Sequence, residues 1–195
     1  MYLASASPRR HELLLQIGVA HTVLHVPAPE GEDEPILPNE TALAYVQRTA
    51  RTKLEQALAW RASQPNLHQH WPILCADTTV ELHGNIIGKP HDLTHAAQLL
   101  QALSGHTHQV HTAACLAYQG QVYQCISTNA IQFKPLSTTE IQAYCQSQEP
   151  LGKAGAYGIQ GRAAIFIQHL AGSYSSVMGL DLYQTHQLCV EAGLV

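Results

Sequence analysis

The chain predicts an α/β fold with a mixed, partly antiparallel sheet, on three observations. Short apolar, β-prone segments alternate with helical stretches along its 195 residues. Two long strand-like runs, about 107–118 and 121–134, meet at Gln119-Gly120-Gln121 and read as an antiparallel pair. Hydrophobic residues make up 46% of the chain, enough for a sizeable core. Alternation of strands with helices, plus one antiparallel pair, is the signature of a mixed sheet. The length suits one compact domain or two tightly joined lobes, and there is no repeat, low-complexity tract or linker. Residues 1–195 therefore read as a single domain.

Each element has a local cause. Residues 2–6 are short and apolar; Ser7-Pro8 then supplies an N-cap and a proline at the first helical position, opening a helix that ends at Gly18. Residues 21–26 look like a strand. The stretch 27–39 is rich in proline and acid and reads as a surface loop. Asn39 can cap a long helix over 40–62, with Leu43, Val46, Ala50, Leu54, Ala57 and Leu58 at helical spacing. PILCAD at 72–77 predicts a short buried strand ending in an acid, and 78–88 a hairpin turning at His83-Gly84-Asn85. Asp92 starts a helix to Leu103, and Ser137 caps another to about 147. The glycine-rich stretch 152–161 is a loop, followed by a strand at 163–168 and a C-terminal helix from about 180.

Charge is scarce, at 12% of residues, with 10 Lys plus Arg against 14 Asp plus Glu for a net −4. Such a chain cannot neutralise many phosphates along a duplex, which argues against nucleic-acid binding. No run approaches the roughly 18 apolar residues of a membrane span, and MYLASASPRR lacks the form of a secretory signal, so the expectation is a cytoplasmic protein away from membranes. Five scattered cysteines without a CxxC read as reduced core thiols. Among 13 histidines, His91 and His95 stand four apart on a predicted helix, a spacing that can chelate zinc, but residue 92 is Asp where a zincin needs Glu. Replacement of other polar residues by His in a lysine-poor chain accounts for them more simply.

Four segments could carry chemistry. Ser7, Arg9 and Arg10 stand at a strand-to-helix junction, where free N–H groups, the helix dipole and guanidinium forks all suit a phosphate. A capped helix with two surface arginines is the alternative. Asp77 at the tip of a strand could hold Mg²⁺ or take a proton from water, or merely close an Asx-turn. Lys89, between Gly88 and Pro90, could present an ammonium to a phosphate or remain a solvated loop lysine. In KAGAYGIQG at 153–161 the glycines permit close approach, and Gln160 offers both a donor and an acceptor to a base edge. Together these groups describe a nucleotide-phosphate site with a hard divalent cation, Mg²⁺ or Mn²⁺, without a P-loop, a kinase signature or a Ser-His-Asp elbow. Hydrolysis of a phosphoanhydride by metal-positioned water is the simplest reaction they support.

The segments LASASPRRHELL at 3–14, LCADTTV at 74–80, GKP at 88–90, KAGAYGIQG at 153–161 and GSYSSVMGLDL at 172–182 resemble the Maf nucleotide pyrophosphatases across the whole chain. The resemblance implies two lobes around a cleft, a fold similar to the inosine triphosphate pyrophosphatases. It also implies hydrolysis of a nucleoside triphosphate to monophosphate and pyrophosphate with a divalent metal, and a homodimer. By the same resemblance Asp77 is the proton acceptor or metal-positioning acid. Glu30 is a loop carboxylate for the metal, and Ser7, Arg10, Lys53 and Lys89 line the phosphate site, with Lys53 and Lys89 in catalytic roles. Lys153 opens a substrate-binding loop. Arg9, Thr78 and Gln160 match the branch acting on dTTP and UTP rather than the 7-methyl-GTP branch. A non-catalytic regulator of septum formation is the reading from another class. Gly152 and Asp181 depart from the family pattern, which has an acid and a proline at these positions.

Overall fold

A computed structural model describes residues 1–27 and 35–195. Seven strands, β1 (Tyr2–Leu3), β2 (Thr22–Val23), β3 (Ile73–Leu82), β4 (Asn85–Ile87), β5 (Thr107–Tyr118), β6 (Gln121–Phe133) and β7 (Ile167–Ala171), form one sheet. Its order is β2-β1-β3-β5-β6-β7, with β4 also on β3. Among the described residues six α-helices pack around it: α1 (Pro8–Gln16), α2 (Ala42–Ser63), α3 (Leu93–Leu103), α4 (Thr138–Gln146), α5 (Tyr174–Met178) and α6 (Leu182–Glu191). β1 runs parallel to both β2 and β3, whereas β3-β5-β6-β7 are antiparallel throughout, so the sheet is mixed as expected.

Local chemistry sets most boundaries. Both hairpin turns place two consecutive residues at positive φ, His83 (51°) with Gly84 (81°) and Gln119 (49°) with Gly120 (79°), matching the twist of the strands they join. Asp92 caps α3 by accepting from the His95 N–H at 2.7 Å. Ser137 and Glu140 form a reciprocal capping box on α4. Asp181, where the family pattern has proline, accepts from the Gln184 N–H at 3.1 Å and caps α6, while Ser127 Oγ donates to it at 2.6 Å. Thr41, not Asn39, caps α2, accepting from the Ala44 N–H at 3.2 Å. The predicted strand at 163–168 is a 3-10 turn over Arg162–Phe166 followed by β7, because pairing with the end of β6 starts only at Ile167. The second predicted strand shrinks to two residues. The C-terminal helix expected from about 180 is α6, and a short helix the sequence did not suggest, α5, precedes it and ends at Gly179.

Strand alternation sorts the core into three clusters. Ile73 and Cys75 of β3, with Ala113, Cys115 and Ala117 of β5, bury Val46, Ala50, Leu54 and Ala57 of α2. Leu74 and Ala76, with Ala114 and Leu116, bury Leu13 and Leu14 of α1 and Leu188 of α6 on the opposite face. The third cluster lies along the far halves of β3, β5 and β6, joining Val80, Val110, Ile131 and Phe133 to α3, α4 and the segment 156–166. Each fully buried Leu, Ile or Phe contributes about 1.5–3 kcal/mol of apolar transfer free energy. The long strands are thus common to both halves of the molecule.

The site opens where this sheet has a gap. On one edge of β3, β1 pairs only with Ile73 and Leu74, and β4 pairs only from Val80 onward. Among the described residues, 75–79 have a strand neighbour on the β5 side alone. Asp77 therefore stands in mid-strand, not at the tip of a strand ending at residue 76 as the sequence suggested. The continuous pairing from Ile73 to Glu81 with β5 carries the strand through it.

Candidate active site

A cleft of about 850 Å³ occupies that gap. It is lined by the β1–α1 junction, the middle of β3, α2, the Lys89 turn, the segment 152–159 and the end of α5. Asp77, Lys53, Ser7, Arg9, Arg10, Thr78, Lys89 and Lys153 all line it. Five of the ten Lys and Arg residues in the chain face this one opening, against Asp77 as the single lining carboxylate among the described residues. In a chain of net charge −4, such a concentration of cations makes this cleft electropositive and suited to an anion.

Asp77 points toward α2 because it shares the face of Cys75 and Thr79 on β3. Thr49 Oγ1 donates to its Oδ2 at 2.8 Å, and the Lys53 ammonium donates to Oδ1. Thr49 and Lys53 stand four residues apart on α2 and so present both donors from one helix face. Sequence reasoning missed Thr49, although its i, i+4 relation to Lys53 was the available signal. The carboxylate is thus half-buried and oriented at both oxygens.

Thr78 points the other way, toward α1 and α5. Its Oγ1 accepts from Arg10 Nη2 at 3.3 Å and lies 3.0 Å from Thr112 Oγ1, which in turn donates to the Ser176 carbonyl at 2.8 Å. Arg10 also donates from Nε to the Gly179 carbonyl at 2.7 Å and from Nη1 to Ser5 Oγ at 3.2 Å. Three of its five N–H groups are therefore engaged, two of them pinning the start of α1 to the end of α5 and to β3. The expected bidentate phosphate fork is reduced to two remaining N–H groups. Burial lowers the Arg10 pKa from its usual value, and Asp77 opposes that shift.

Ser7 is the N-cap of α1, yet its hydroxyl makes no capping bond, leaving it at the cleft wall as a donor for a ligand. Lys89 is exposed, and its turn is tied to the late loop by the Gly155 N–H, which donates to the Gly88 carbonyl at 3.0 Å. Gly155 takes φ 70° with Val80 Cγ2 only 3.0 Å from where a Cβ would stand, so both conformation and space demand glycine. The Lys153 ammonium donates to the Glu149 carbonyl, and burial lowers its pKa, with Arg9 acting in the same direction.

Gln160 is not brought to the cleft wall. The Gly161 N–H donates back to the Gly158 carbonyl at 3.0 Å, a tight turn that buries Ile159 and leaves Gln160 exposed at its tip. It makes no hydrogen bond among the described residues. Glu30, with Glu32, Asp33 and Glu34, lies outside the described residues.

Behind the loop is a buried brace that the sequence did not reveal. His108 Nε2 lies 2.8 Å from Tyr157 Oη, the two rings meet edge-on, and Phe133 packs edge-on against both. His108 Nδ1 is buried without a partner among the described residues, and burial lowers the pKa of this histidine to about 4.

Other expectations fall away from the site. The His91 and His95 rings lie tilted with centroids 4.2 Å apart, away from the cleft, and His91 bonds Asp92. Among the described residues no group of three or more His, Cys, Asp or Glu is placed to hold a metal by itself. The cysteines are all free, and burial first, then Cys115 across the strand pair, pushes the Cys75 thiol up to about 12. No helix among the described residues is long and apolar enough to cross a membrane.

A Bordetella pertussis (strain Tohama I) protein named dTTP/UTP pyrophosphatase is 55% identical over 196 residues, covering 100% of this chain and 93% of its own length. Proteins of the same name from Nitrosomonas europaea and Neisseria meningitidis serogroup B are 48% and 44% identical. These cover 100% and 99% of this chain, and 95% and 94% of their own lengths. With residues 1–192 matching the family described as Maf-like protein, the chain belongs to that family.

Proposed function

We propose that this chain hydrolyses dTTP and UTP to the nucleoside monophosphate and pyrophosphate. The observation that carries the reading is the cationic cleft with the single oriented carboxylate of Asp77 at its centre. Relatives named dTTP/UTP pyrophosphatase at 44–55% identity support it.

Asp77 takes the proton of the attacking water as its oxygen bonds to the α-phosphorus and the bond from that phosphorus to the β-bridging oxygen breaks. Thr49 and Lys53 hold the carboxylate in place for that transfer. Lys89, Lys53 and the two remaining Arg10 N–H groups stabilise charge that grows on the phosphate oxygens and on leaving pyrophosphate. Ser7 and Lys153 bind the polyphosphate at the start of α1 and from the late loop. The Asp77 carboxylate and the Ser7 hydroxyl at the cleft wall are hard oxygen donors. They fit Mg²⁺ or Mn²⁺ in sites completed by substrate phosphates, with Glu30 as the second acid by family resemblance. When bound, such a cation polarises phosphoryl oxygens and acidifies water.

Arg9 and Thr78 read the carbonyl and N3–H edge of uracil or thymine. Gln160, unpartnered at the rim, meets the base from outside. A buried polar readout of this kind rejects a mismatched base because its groups would be left unpaired. We place the enzyme in the cytoplasm, among its nucleotide substrates, and as a homodimer in line with its family.

The test is pyrophosphate release from dTTP, UTP, CTP, GTP and 7-methyl-GTP, with Mg²⁺, with Mn²⁺ and with chelator. Metal-dependent release led by dTTP and UTP is expected. Preference for 7-methyl-GTP would overturn the base-reading roles, and absence of release from folded protein would overturn the reaction.

A further inference from the structure

We infer that Glu149 is a positioning residue for the nucleotide, acting through the loop 153–161; this role rests on the pyrophosphatase reading above. Glu149 does not line the cleft. It stands half-buried just beyond α4, and it holds the loop from behind at three places. Its backbone carbonyl accepts from the Lys153 ammonium, at the loop's start. Its Oε2 accepts from the Arg162 N–H at 3.0 Å, at the loop's end. Its Oε1 accepts from Tyr144 Oη at 3.0 Å, and the same phenol oxygen accepts from the Gly158 N–H at 3.4 Å, in the middle. Burial first, then Glu149, raises the Tyr144 pKa well above the usual phenol range, so the hydroxyl keeps the proton it donates.

Gly161 carries the imprint of this arrangement. A Cβ built there would stand 2.1 Å from Glu149 Oε1 and 2.5 Å from Cδ, so the carboxylate occupies the volume any side chain at 161 would need. The φ of Gly161 is −101°, a value L-residues adopt freely, so the glycine answers to the carboxylate and not to backbone strain. On the cleft side, Lys153, Tyr157, Gly158 and Ile159 line the wall. A Cβ at Gly158 would meet Lys153 Cε at 3.2 Å and Arg9 Nη1 at 3.4 Å. Removing the carboxylate therefore releases the Arg162 N–H and the Tyr144 hydroxyl, and through Tyr144 the Gly158 backbone beside Arg9, while the Lys153 contact with the backbone carbonyl stays. Asp77, Thr49 and Lys53 belong to β3 and α2 and share no bond with this brace.

The separation dictates the kinetics. Glu149→Ala raises KM for UTP and dTTP by about tenfold or more while kcat stays within about threefold, the pattern of lost ground-state positioning. Glu149→Gln, which keeps an acceptor for one of the two donors, falls between Ala and the unaltered protein. Gly161→Ala expels the carboxylate and reproduces the Glu149→Ala value of KM. Added to Glu149→Ala, it changes KM by less than about twofold, because both act on one interaction. Affinity for a non-hydrolysable UTP analogue, measured by calorimetry, follows KM and serves if Glu149→Ala is too unstable for kinetics, with Glu149→Gln and Gly161→Ala as the variants. A KM unchanged in Glu149→Ala, a loss confined to kcat, or additive effects of the two substitutions would each overturn the role. If the unaltered protein binds the analogue but releases no pyrophosphate, the hydrolytic reading fails, and the analogue affinities still decide the role of Glu149.

Discussion

The two walls of the cleft are built in opposite ways. On the α2 side, regular elements carry the charged groups: Thr49 and Lys53 from consecutive turns of one helix meet Asp77 on a strand paired continuously with β5. On the opposite side, residues 153–161 have little repetitive structure, and their shape is imposed from behind by His108, Tyr144 and Glu149. Chemistry is thus mounted where backbone hydrogen bonds resist displacement. The opposite side, which in the proposed reading carries Lys153 and backs Arg9, is a loop that owes its form to a few buried polar contacts. Changes on the first wall are expected to lower turnover, whereas changes behind the second alter affinity, stability and base preference.

The largest expected effect breaks the first wall. Asp77→Asn keeps the side-chain volume but removes the acceptor for the water proton, and kcat falls by about 10²- to 10⁴-fold. KM stays near its original value, and thermal unfolding confirms the fold. Turnover within a few-fold of the unaltered enzyme would show that Asp77 is not the essential acid.

Behind the second wall, His108 makes stability depend on pH. Burial keeps its folded-state pKa near 4 against an ordinary 6.5, so between these values the unfolded chain binds the extra proton. Its contribution is complete above about pH 6.5 and fades as pH falls toward 4, by about 3 kcal/mol over the window. Urea unfolding at pH 7, 5.5 and 4 should show that slope, and His108→Gln should flatten it relative to the unaltered protein. Parallel slopes in the two proteins would place the titration elsewhere.

The smallest effect is expected at the rim. Gln160→Glu replaces the amide donor with a carboxylate and lowers the preference for UTP over CTP by a few-fold, about 1 kcal/mol of discrimination. The effect is small because Gln160 stands outside the wall. An unchanged ratio would remove it from base reading and leave Arg9 and Thr78 as the readers.

Much of the fold is legible in the sequence itself. The start of α1 at Pro8, the Asp92 and Ser137 caps and both hairpin turns, including the one that joins β5 to β6, follow from short-range rules, because the groups that decide them lie within four residues of one another. The motif pattern likewise carries the family and the cluster of cationic positions. Tertiary structure alone decided how those residues are used. Asp77 lies mid-strand because β5, far along the chain, pairs through it, and the cleft exists because β1 stops at Leu3 before β4 begins to pair. The donors of Arg10 are largely consumed by Gly179, 169 residues away, and by Thr78, which no local rule foretells. Glu149 resembles an ordinary acid after a helix until folding sets its carboxylate against the backbone of Gly161. Caps and turns are satisfied by neighbours in sequence, whereas a hydrogen bond to a distant carbonyl or a volume filled by a distant side chain exists only once the chain has closed on itself.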